Sequence, residues 1–485
     1  MSRKISFLTM STVLVLGLGP GAAAAGDDRP DHGTPGAPGI GDPYFPLDGN
    51  GGYDVLHYDL DVRYDPATDV LSGVATIRAR ALQDLSAFNL DLEGMEVRSV
   101  RVGSAAATWT REGGELTITP RKAVHAGQIF GTTVTYDGVP QTITDALGTS
   151  GFMHTDDGAI VAGQPDVAAT WFPANDHPRD AASVRVRATV PEGLEAVSNG
   201  VLRDSRTARG WTTWAWDARE PMATYLVTLA IGEFDLREYV ADGIRYWDAL
   251  DPDLFAMDPD PETEGPSVGE LAEGSLARQP EITEFLSGIF GPYPFRASGG
   301  IVDDHPEFQF ALETQTRPIY ASAFFSDPVS GDLVVVHELA HQWTGDLLRI
   351  DEWRHIWLNE GFATYAEWLW LEQEGLSTPQ QEFDAIAAGA PPQFWELTIG
   401  DPGAATENLF DIAVYYRGAM TLQALRNEVG DEAFFAIIRE WVASQAGGTV
   451  TTDEFVALAE KISGQQLDEL FQRWLFTPGN PTAGG

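Results

Sequence analysis

From Tyr53 to about Gly232, apolar side chains recur at every second position. Leu56, Tyr58, Leu60 and Val62 alternate with His57, Asp59, Asp61 and Arg63, and Val184, Val186, Ala188 and Val190 alternate with polar residues. A period of two puts one set on each face of a strand, so this stretch predicts sheets that bury one face. The run TYLVTLAIG closes it like a strand buried on both faces. Beyond about Phe234 the period lengthens: RGAMTLQALRNEVG, DEAFFAIIREWVASQ and LDELFQRWLF space their apolar residues as amphipathic helices do. The pattern therefore predicts a multidomain α+β protein, with an all-β N-terminal domain over 53–234 and a mostly α domain over 235–485. Neither half contains an internal repeat.

Composition alters the picture mainly at the N-terminus. A basic start (Arg3, Lys4), an apolar run from Ile5 to Gly19 and the small residues Ala22 to Ala25 predict an export signal over 1–25. The run is shorter than the roughly 20 residues that span a bilayer, so no membrane association is expected once the signal is removed. Residues 26–52, rich in Gly, Pro and Asp, predict a mobile leader. The expected location is extracellular. There is no cysteine, so no disulfide can contribute to stability there. With 72 acidic against 30 basic residues the formal charge is −42, which argues against nucleic acid as a partner. Oligomeric state is left open.

The chemistry is concentrated in VVVHELAHQWTGD, Val334 to Asp346. On a helix, residues i and i+4 share a face, so His337 and His341 can point at one metal ion and Glu338 can reach a water bound to it. A chance H-E-x-x-H is expected on the order of once in a hundred such chains. A catalytic zinc normally takes three protein ligands, and Glu360 is the candidate for the third. It lies in WLNEGFATYAEWLW, with 18 residues between it and His341, among Trp357, Leu358, Gly361 and Phe362, where a buried carboxylate without a cation would be costly. Glu367, two turns further along the same helical face, either supports a ligand histidine or is an ordinary surface carboxylate. The other seven histidines, His305 and His355 among them, lack ligand spacing.

HELAHQW followed by NEGFATY resembles the gluzincin aminopeptidases, the family of aminopeptidase N and leukotriene A-four hydrolase, over about Tyr53 to Pro481. The resemblance implies a saddle-like β domain on a thermolysin-like catalytic domain, without the helical C-terminal domain that many members add. It implies one Zn2+ per chain on His337, His341 and Glu360, with Glu338 as general base for a zinc-activated water. It also implies a tyrosine to meet the oxyanion; VYYRG offers Tyr415, with Arg417 where the family has lysine and Tyr416 as the neighbouring competitor. The family's G-x-M-E-N strand corresponds to FALETQ, which makes Glu313 the anchor for the substrate's α-ammonium. Phe310, Leu312 and Thr314 depart from that motif. Gln164, nine residues before Pro173, is the second amine contact implied, and Asp166 lies near it.

The expectation is a secreted zinc aminopeptidase acting on peptides with a free N-terminus. The alternatives are a zinc endopeptidase or epoxide hydrolase on the same fold, or a peptide-binding protein without catalysis. The physiological substrate and the preferred N-terminal side chain are not legible.

Overall fold

The computed structural model describes residues 33–145, 148–260 and 265–482. The export signal expected over 1–25 lies outside them.

Within the expected leader, residues 33–52 are held against the rest of the chain rather than mobile. Thr34–Pro35 pairs in parallel with the start of the strand Leu85–Asp91. The Asp42 carboxylate is buried, meets His177 Nε2 at 3.1 Å and accepts from the backbone N–H of Trp353 at 2.9 Å. One segment thus straps the β region to the helical region. The Gly, Pro and Asp content that reads as a linker here serves tight turns whose carboxylates accept backbone N–H groups.

The β region is built on an eight-stranded sheet in the order 201–208, 211–222, 182–191, 53–65, 70–81, 129–138, 96–102 and 105–106. Only the pairing of 53–65 with 182–191 is parallel. Leu60 sits opposite Ala75 and Val186, and all three are buried. Along 53–65 the alternation slips once: a bulge between Val55 and His57 turns Val55 inward with Tyr58, leaving Leu56 only half-buried. A five-stranded sheet (142–145, 148–154, 159–162, 229–232, 195–198) faces the helical domain, and a four-stranded sheet completes the region. The run TYLVTLAIG divides into a 3-10 turn, Thr224–Leu226, and the strand Leu229–Gly232.

The helical pattern begins later than Phe234. The second domain opens with a mixed sheet in the order 235–241, 244–250, 297–303, 319–321, 311–312. Its first hairpin turns at Asp242 and Gly243, both with positive φ, as a D-G hairpin requires. Ten α-helices follow among the described residues: α1 (Val268–Leu276), α2 (Gln279–Phe290), α3 (Pro328–Ala340), α4 (Trp357–Gln373), α5 (Pro379–Gly389), α6 (Thr406–Leu409), α7 (Ile412–Val429), α8 (Asp431–Gln445), α9 (Thr452–Ser463) and α10 (Asp468–Leu475). No helix among the described residues is long and apolar enough to cross a membrane.

Three contacts position the site. Asp327 caps α3 by accepting from Val329 and Ser330 N–H, with Pro328 at the first helical position. Helix α4 returns beside α3. Helices α4 and α7 meet at Gly361 and Gly418, where a Cβ on Gly418 would lie 2.7 Å from the Gly361 Cα. Only glycine allows so close a backbone approach.

Candidate active site

Helix α3 ends as the metal motif ends. His337 is in its last turn, and His341 is the C-terminal cap residue, still helical in backbone conformation. Helix α4 supplies Glu360 from its first turn. One Glu360 carboxylate oxygen lies 3.3 Å from the Nε2 of each histidine. The opposite ring nitrogens are held: Glu367 meets His337 Nδ1 at 2.6 Å, and the Thr344 carbonyl meets His341 Nδ1 at 2.9 Å. Donation from Nδ1–H leaves both Nε2 lone pairs turned toward Glu360, and three such atoms converging in a buried place need a positive charge between them. The donor set of two imidazoles and one carboxylate suits zinc. Glu367, with two roles open from sequence, takes the supporting one.

The electrostatics follow the geometry. Burial disfavours the charged forms throughout, yet His341 is raised to about 9 because Glu360 and Glu313 outweigh it. Burial alone would raise Glu360 too, but the two histidines bring it down to about 2. Glu338, buried next to His337, is pushed up to about 8 by desolvation.

Glu313 follows the edge strand Ala311–Leu312. It is not a solvent-facing carboxylate: only 2% of it is exposed. It accepts from Gln164 Nε2 at 2.9 and 3.1 Å and from the Tyr225 hydroxyl at 2.8 Å. The departures from the family motif leave the local backbone intact. Leu312 pairs with Ile319, and Gln342 of the metal motif donates to the Glu313 carbonyl at 3.1 Å while accepting from Thr316 N–H at 2.7 Å. Thr316 holds a positive φ, and this double anchor secures the turn that aims Glu313.

Tyr415 stacks on the His337 ring with centroids 5.9 Å apart, and its hydroxyl is raised by burial and then by Glu360, Glu338 and Glu313. Tyr416 instead has Glu367 and Glu382 as its acidic neighbours. Arg417, wholly buried, donates to the carbonyls of Trp474, Leu397 and Thr477, tying α7 to the C-terminal segment. Asp166 has Asp48 and Glu93 as acidic neighbours. A cleft of about 640 Å³ joins Gln164, Glu313, His337, Glu338, Glu360 and Tyr415. The residue missed from sequence is Tyr225. Its only signal was a phenol inside a largely apolar run that also holds Thr224 and Thr228.

A β-rich domain packed on a helical one, with an H-E-x-x-H metal centre at their seam, defines a class of two-domain proteins. Residues 55–226 match the peptidase M1 N-terminal domain and residues 326–474 the peptidase family M1 domain. Aminopeptidase M1 of Arabidopsis thaliana is 26% identical over 348 residues, 67% of this chain and 37% of that protein. Aminopeptidase N of Rattus norvegicus is 27% identical over 349 residues, 64% of this chain and 34% of that protein. The chain thus spans little more than a third of the length of these two relatives. An M1 zinc metallopeptidase from Deinococcus radiodurans superposes with a TM-score of 0.79 at 28% identity, over 91% of this chain and 99% of that one. The chain belongs to peptidase family M1.

Proposed function

We propose that the protein is a zinc aminopeptidase that removes single residues from peptides with a free N-terminus. One observation carries the reading: Glu313, Glu338 and His341 are buried with their ligand atoms all within 4.8 Å of one another. An ammonium held by Glu313 therefore leaves the carbonyl of the same residue beside Glu338. Gln164 gives its Nε2 to Glu313 and keeps a buried Oε1 without a protein partner, a second acceptor for the ammonium.

His337, His341 and Glu360 would hold the ion. Bound there, zinc supplies a Lewis acid that polarises a carbonyl and lowers the pKa of a water to about 7. Glu338 takes the proton of the attacking water and delivers it to the leaving amine. Tyr415 donates its hydroxyl to the oxygen on which charge develops. Glu367 keeps His337 in the tautomer that leaves Nε2 free. The relatives support this reading: the matched proteins are named aminopeptidases, and the Deinococcus metallopeptidase has been crystallised with a Tyr-Ser-Ala substrate. The basic start and apolar run over 3–25 support export, which N-terminal sequencing of the secreted protein would test.

The deciding experiment compares leucyl and alanyl arylamides with their N-acetyl forms, with and without a chelator. The free amines should be hydrolysed, the acetylated ones left essentially untouched, and the chelator should abolish turnover until zinc is restored. Equal rates on free and acetylated substrates would favour an endopeptidase instead.

A further inference from the structure

Outside the cleft, oxygen donors collect where the leader, the end of the strand Leu85–Asp91 and the loop after Gln164 converge. Asp91 and Asp176 form the floor. Asp91 accepts from Asn50 Nδ2 at 2.9 Å and from Asp176 N–H at 2.7 Å, while Asp176 accepts from Ala169 N–H at 2.9 Å and the Thr224 hydroxyl at 2.6 Å. Asp48 and Asp166, both half-buried, form the rim. The charges are uncompensated: the electrostatic neighbours of Asp48 are Asp166, Asp176, Asp91 and Asp42. Those of Asp166, Asp176 and Asp91 are acidic as well, and none of these four aspartates forms an ion pair among the described residues. Burial, and then the other carboxylates, push Asp48 up to about 9.

A separate observation points to a ligand. Asn50 is completely buried, and its amide lies against Asp91, yet its side-chain oxygen has no partner. The Asp48 Oδ2 atom is likewise buried and without a partner. An unpaired buried acceptor costs about 1–3 kcal/mol, more when charged, and here one belongs to Asp48 itself and the other, on Asn50, lies against Asp91.

We propose that this cluster binds a calcium ion, ligated by Asp48, Asp166 and the Asn50 side-chain oxygen, with Asp91 and Asp176 supplying negative charge beneath. The donors are all oxygen, with no imidazole or thiolate, which suits a hard cation and not a second zinc. Calcium accepts irregular sets of carboxylates and amide oxygens, whereas magnesium demands near-octahedral geometry. The ion would tie the leader to the loop that follows Gln164.

The test uses the zinc-reconstituted full chain in calcium-free buffer at about 0.15 M salt, where diffuse binding to the acidic surface is screened. Calorimetric titration with calcium chloride should show one saturable equivalent and raise the unfolding temperature. Asp48→Asn and Asp166→Asn should each weaken that binding at least about tenfold. Zinc content should stay unchanged in both variants. Asp251→Asn, in a different acidic group with Asp253 and Asp304, should leave the titration as in the wild type. Absence of saturable heat at millimolar calcium would overturn the proposal and leave shared protons as the compensation. A calcium response unchanged in both rim variants, or abolished by Asp251→Asn, would overturn it equally.

Discussion

The Glu313 carboxylate and the Gln164 amide, 149 residues apart in the chain, meet at 2.9 Å across the seam between the two domains. With Tyr225 on the same carboxylate, the β region contributes both donors and the helical domain contributes the acid. This arrangement around the Glu313 carboxylate therefore exists only while the domains are packed together.

Glu313→Ala should lower kcat/KM on free-amine arylamides by roughly ten- to a hundredfold, the worth of a charge-assisted hydrogen bond, with zinc still bound. Tyr225→Phe removes one donor that orients the same carboxylate and should show a smaller loss, chiefly in KM. Steady-state kinetics beside metal analysis check both. Loss of zinc in either variant would mean that the damage reached the metal site.

Glu367 holds His337 Nδ1, whereas Glu338 lies with Glu313 and His341, and their variants should separate. Glu338→Gln is expected to keep zinc and lose turnover by ~10³-fold or more, because the amide cannot accept the proton. Glu367→Gln should retain turnover at saturating zinc but bind the metal about 10–100-fold more weakly, since the Nδ1 contact that orients His337 is impaired. Competition with a chelating dye measures the second effect.

Gly361 and Gly418 let α4 and α7 touch backbone to backbone, and α7 carries Tyr415. Gly418→Ala would set a methyl group 2.7 Å from the Gly361 Cα, so the helices must part. The expected outcome is a loss of about 1–3 kcal/mol in stability, with a fall in kcat as Tyr415 leaves its place over His337. A thermal melt paired with kinetics checks this. Unchanged kcat in the destabilised variant would uncouple the helix contact from catalysis.

Asp180 provides a pH test away from the metal. It is buried, accepts from Val55 N–H at 3.0 Å, and is pushed up to about 8, first by desolvation and then by Asp54. A carboxyl whose folded pKa is raised contributes stability that is fully present below its unfolded value, about 4, and lost as pH rises through the folded value. The unfolding temperature should therefore fall between about pH 5 and pH 8. Asp180→Asn, which cannot ionise, should fall less over the same window; identical slopes would remove Asp180 as a cause.

The sequence alone determined what depends on spacing. A separation of four positions between His337 and His341 places both on one helical face whatever surrounds them, and alternation over 53–65 and 182–191 requires strands wherever one face is buried. Glu360 was legible for a related reason: a carboxylate among Trp357, Leu358 and Phe362 must find a cation once the helix packs. Tertiary structure decided whatever depends on a partner distant in the chain. Asp42 reads as linker until His177 and Trp353 N–H close on it. Tyr225 reads as core until Glu313 arrives from 88 residues away. Leu56 reads as inward until a bulge hands its place to Val55. Local periodicity reports which face a side chain takes, because backbone geometry repeats along the chain. Which donor meets which acceptor is set by how the domains pack, and that information lies in no single stretch of sequence.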